Sequence, residues 1–171
     1  MNPMISFVAL VLLLTGQHPQ MPAGMSHEEH LKQMQKDEAM KKRGAAAMGF
    51  DQEATTHHFR LAATGGSIEV TVKDIADEKT IAAIRSHLRS IAGEFAAGQF
   101  DKPFQTHGEV PPGVLEMQKS RNKIAFRYED LPQGGAVRIE TKDAPALDAV
   151  HAFLRYQITE HHTADSLQFK R

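Results

Sequence analysis

The stretch Thr55–Lys73, TTHHFRLAATGGSIEVTVK, decides the fold. At a period of two, Phe59 and Leu61 share a face with Ile68, Val70 and Val72 once Thr64-Gly65-Gly66 turns the chain back. The glycines supply the positive φ that a tight hairpin needs. The other parity carries Arg60, Glu69, Thr71 and Lys73, so one face is apolar and the other wet. His57 has the parity of Phe59, and His58 that of Arg60. The two imidazoles leave the strand on opposite sides, and one metal ion is not expected to take both.

Downstream, a helix is expected from about Glu78 to Ala97, where Ile81, Ile84, Leu88, Ile91 and Phe95 recur at helical spacing and Gly98 ends the run. His87 flanks that apolar stripe, about 70° from its centre. A second hairpin is expected over Lys123–Lys142, with Ile124, Phe126, Tyr128, Val137 and Ile139 on one face and a turn at Gln133-Gly134-Gly135. Asp143-Ala144-Pro145 then opens a helix to about His161. His161 shares its inward stripe with Leu147, Val150, Phe153, Leu154 and Ile158, while His151 and His162 lie on the edge.

Superposing Gly65-Gly66 on Gly134-Gly135 also aligns Val70 with Ile139. After a gap of three residues, Ile81, Ile84 and Leu88-Arg89 fall on Leu147, Val150 and Leu154-Arg155. This internal repeat implies an α+β fold in which two β-β-α units form a four-stranded antiparallel sheet with two helices on one face. A two-fold axis normal to that sheet would carry His161 and His162 to His57 and His58. Between the units, Phe100 to Asn122 shows no period and reads as a long connecting loop containing His107 and Met117, where a histidine is free to act as a ligand.

The 171 residues suffice for one domain, 53–168, preceded by an export segment and a tail. The apolar run Ile5–Leu14 spans only about 15 Å as a helix, so residues 1–24 read as a signal peptide, with no stable membrane anchor after cleavage. Residues 25–52 read as a Met/His-rich, partly helical tail and linker, with a helix start at Ser26, an end near Gly44, and Phe50 packing on the domain. A net charge of -1 without a basic stripe excludes a nucleic-acid partner. The absence of cysteine excludes thiolate zinc, iron–sulfur clusters, blue copper and disulfides. Ten histidines and eight methionines favour an imidazole-binding metal ion such as copper or zinc. An open sheet edge could pair two copies into a homodimer.

The motifs MGFDQ (48–52), TTHHF (55–59), IRSHL (84–88), THGEVPPGV (106–114) with Met117, and HAFLRYQITEHHTADS (151–166) resemble a family of small exported bacterial proteins. That family is associated with copper-resistance loci, and its members often carry the name aspartate carbamoyltransferase. The resemblance implies a periplasmic or secreted protein that handles copper. By motif match it also implies the ligand candidates His57, His58, His87, His107, His151 and His161. The carbamoyltransferase activity is not expected, because the chain is too short for two α/β domains and lacks a Ser-Thr-Arg-Thr-type phosphate loop. The alternatives are a non-catalytic interaction module using the charged sheet face, a metal-assisted enzyme, and a haem-binding protein with histidine axial ligands.

Overall fold

The computed structural model describes residues 25–169, so the expected signal peptide lies outside the described residues. Strands β1 (Thr55–Ala62) and β2 (Gly65–Val72) form the first hairpin, and β3 (Ile124–Leu131) and β4 (Gly134–Thr141) the second. The parities hold: Phe59 stands opposite Ile68 and His57 opposite Val70, and Phe126 stands opposite Ile139. The four strands make one antiparallel sheet in the order β1-β2-β4-β3. Its central seam, β2 on β4, sets Ile68 against Val137.

Glycine is required where that seam is tightest. A Cβ on Gly65, whose φ is 146°, would strike the Ile139 carbonyl, and one on Gly134 would strike the Val70 carbonyl. Neither obstacle is the free end of a side chain, so the strands themselves would have to part. Gly134→Ala is expected to cost about 2 to 3 kcal/mol. A urea midpoint matching that of the unaltered protein would contradict this.

Helices α2 (Glu78–Ala96) and α5 (Ala144–Glu160) cover the apolar face, each lying chiefly over the other unit's hairpin. α2 packs on β3 and β4, and α5 packs on β1 and β2. Each helix also clasps a turn. Arg85 donates to the carbonyls of Gly134 (3.0 Å) and Leu131 (2.8 Å), and His151 Nε2 donates to those of Ala62 (2.9 Å) and Gly65 (3.1 Å). The core between sheet and helices includes Ile84, Leu88, Val137, Ile139, Val150 and Leu154. An aromatic cluster extends it: Phe95 stacks on Phe100 at 4.3 Å and meets Phe126 and Phe153 edge-on. The open face carries a ladder of charges crossing all four strands, Arg60–Glu69–Arg138–Glu129, with Arg127–Glu140 beside it.

The structure holds more helix than the two domain helices and the partly helical tail expected. The Phe100 to Asn122 connection is not an irregular loop: it forms α3 (Asp101–His107) and α4 (Val114–Lys119), and His107 is buried. Pro103 falls in the first turn of α3, where a missing N–H costs nothing. The lead-in forms one helix, α1 (His27–Met48), started by a Ser26/Glu29 capping box and carried past Gly44 by three alanines and Met48 to Gly49, φ 78°. Its buried residues are Met40 and Gly44, so polar contacts do much of the docking. Arg43 donates to the Thr106 and His107 carbonyls, Lys36 pairs with Glu160 at 2.9 Å, and Lys41 pairs with Glu53 at 2.8 Å. At the β1 edge, Asp165 accepts the outward N–H of Phe59 at 3.0 Å, so the C-terminal segment already occupies part of that edge.

Candidate functional site

The inward parity of β1 sends His57 beneath the helices, and three other elements bring histidines to it. His161 is the C-cap of α5, His107 the last residue of α3, and His87 stands on the flank of α2. All four line one cavity of about 70 Å³, together with Met48 and Gln157, and Phe59, Phe95 and Phe153 form part of its apolar wall. The His57 and His161 rings lie 6.0 Å apart, within 10° of parallel. His107 meets His161 edge-on at 5.2 Å, and His87 meets Phe50 edge-on at 5.7 Å.

His107 is buried and His57, His87 and His161 are half-buried, and removal from water keeps all four uncharged. It pushes His57 down to about 4, helped by His87 and His58. It pushes His87 to about 4 as well, helped by Lys102 and opposed by Glu94. His161 falls to about 3 through burial and the neighbouring His57, His107 and His162. Burial lowers His107 too, against the raising effect of Gln157, Glu160 and Glu109. Neutral imidazole is the form that binds a metal ion. Two of the imidazole nitrogens, His57 Nε2 and His107 Nδ1, are buried and have no hydrogen-bond partner among the described residues.

The spacing suits a shared ion better than the orientation does. With metal–nitrogen distances of about 2.0 to 2.1 Å, two imidazoles on one ion hold their centroids roughly 5 to 5.5 Å apart. The His107–His161 distance falls in that range, and His57–His161 lies just beyond it. The near-parallel His57 and His161 planes, however, do not converge, and among the described residues no group of three His, Asp or Glu side chains forms a ready ligand set. The residue types and the unpartnered nitrogens are those a metal ion would use, although the rings as placed do not form a ligand set.

The remaining candidates lie elsewhere. His58 faces the opposite side of β1, with Nδ1 3.0 Å from Asp165 Oδ1. Burial works against ionisation of Asp165, yet the donors around it, Phe59 N–H and His58 among them, hold its carboxyl below the ordinary value. His151 is the turn clasp of α5, outside the cavity lining. Sequence reasoning passed over Gln157, which sits four residues after Phe153 and four before His161 on one helix face. A lone polar residue on that inward stripe was the available signal. Lys102, which pairs with Glu94 at the cavity wall, carried no such signal. No family model, curated protein or solved structure matches the chain.

Proposed function

We propose that the chain is a periplasmic or secreted metal-binding protein that holds copper in the histidine cavity through His57, His107 and His161, with His87 and Met48 at its wall. The observation that carries this reading is the gathering of four neutral imidazoles, two with unpartnered nitrogens, around one space of about 70 Å³. A buried polar atom without a partner costs about 1 to 3 kcal/mol, and a cation would supply the missing partner at both nitrogens. Imidazole nitrogens with a thioether nearby suit copper, and nitrogens alone suit zinc. The cavity's size favours an ion over a porphyrin. The charged sheet face has less support as a docking surface, because its arginines and glutamates already pair with one another.

The test is metal analysis and titration of the chain from Met25 onward with copper and zinc, alongside His57→Ala and His161→Ala. About one ion per chain is expected, bound far more tightly than the millimolar range that corresponds to about 4 kcal/mol. Each substitution should reduce affinity by at least tenfold. Equal retention by all three proteins would reject the cavity as the site.

A further inference from the structure

We infer that Gln157 is a positioning residue that selects which nitrogen of His107 faces the metal. The inference rests on the metal-binding reading of the cavity. His107 Nε2 lies 3.0 Å from Gln157 Oε1. With its amide oxygen at this contact and its Nε2 left without a partner among the described residues, Gln157 accepts, so the histidine nitrogen carries the proton. A neutral imidazole has one ring N–H, and the lone pair is therefore on Nδ1, the atom with no partner. His107 is 7% exposed and Gln157 4%, so water does not compete freely for this contact.

The rest of the ring's surroundings fix its place without using Nδ1. Tyr156 and His161 each meet the imidazole edge-on, at 5.0 and 5.2 Å, and Arg43 holds the His107 backbone carbonyl at 3.2 Å. Gln157 stands one helical turn before His161, so α5 supplies one ligand candidate and also orients another. A hydrogen bond at the far nitrogen of a ligating histidine sets its tautomer and raises its basicity, and loss of that partner typically weakens metal binding about ten- to a hundredfold.

The test uses the mature chain labelled with ¹⁵N-histidine, observed by long-range ¹H–¹⁵N spectroscopy at pH 7.5 before and after addition of zinc(II). Without zinc, His107 is expected as the Nε2–H tautomer. With zinc, its Nδ1 resonance should move while Nε2 keeps its proton. Gln157→Leu should lose the tautomer preference and bind zinc about ten- to a hundredfold more weakly. Gln157→Glu, which keeps an acceptor in place, should preserve both. An Nδ1–H tautomer in the unaltered protein, zinc binding through Nε2, or undiminished affinity in Gln157→Leu would each overturn the assignment. If zinc moves no histidine resonance, the metal-binding reading falls and the role given to Gln157 falls with it, even where the unliganded tautomer is as expected.

Discussion

Taking the protein from pH 7.5 to pH 4.5 is expected to remove about 5 kcal/mol of stability, a large share of the roughly 5 to 15 kcal/mol that such a domain has. His57, His87 and His161 have folded-state pKa values depressed to about 4, 4 and 3. Below the ordinary value of 6.5 the unfolded chain takes up protons that the folded cavity refuses, so stability falls with pH. The loss begins near pH 6.5 and levels off only below the folded values. Each such group accounts for about 2 to 3 kcal/mol at pH 4.5. The three contributions sum to about 7 kcal/mol for fully buried rings, and because His57, His87 and His161 are each half-buried the expected total is reduced to about 5. Urea midpoints at pH 7.5, 6, 5 and 4.5 measure it. His87→Phe, a neutral ring in the same place, should reduce the acid loss by about one group's share. A midpoint that stays level from pH 7.5 to 5 would contradict the burial of these rings.

Phe95→Ala is expected to destabilise the fold by about 3 to 5 kcal/mol. The side chain is 1% exposed and sits between the stacked Phe100 ring and the edge-on contacts to Phe126 and Phe153. Its removal strips contacts from three rings on three different elements. It also opens a hole beside the histidine cavity, which Phe95 helps to wall. Phe95→Leu, which keeps most of the volume, should lose less than half as much. Urea unfolding at pH 7.5 separates the two variants, and a loss under 1 kcal/mol in Phe95→Ala would show that the cluster repacks around the gap.

The strands were legible because alternation specifies a face at every residue. Phe59 and Ile68, or Phe126 and Ile139, could not be paired otherwise without turning charge into the core. The parity that put Phe59 inside also put His57 inside, and the hairpin-then-helix order carried the end of α5 to the start of β1. His107 was not legible as a buried residue. It ends a seven-residue helix, too short for a period to register, in a stretch broken by prolines. α1 was only half legible, since its start has a capping box but its length depends on docking through Arg43 and Lys36 to partners far along the chain. His151 shows the limit of motif matching: its type suggests a ligand, while its place beside the first turn makes it a backbone donor.

Because each helix covers the other unit's hairpin, neither half of the chain can hide its own apolar surface. A hairpin closed by a two-residue turn can form within microseconds, but it gains its cover only when a helix from the other half arrives. The contacts that complete the fold are thus long in sequence, with Ile68 meeting Val137 across the seam. Loop closure must precede the reward of burial, which places the slow step of folding at the meeting of the halves and leaves little room for a stable half-folded species.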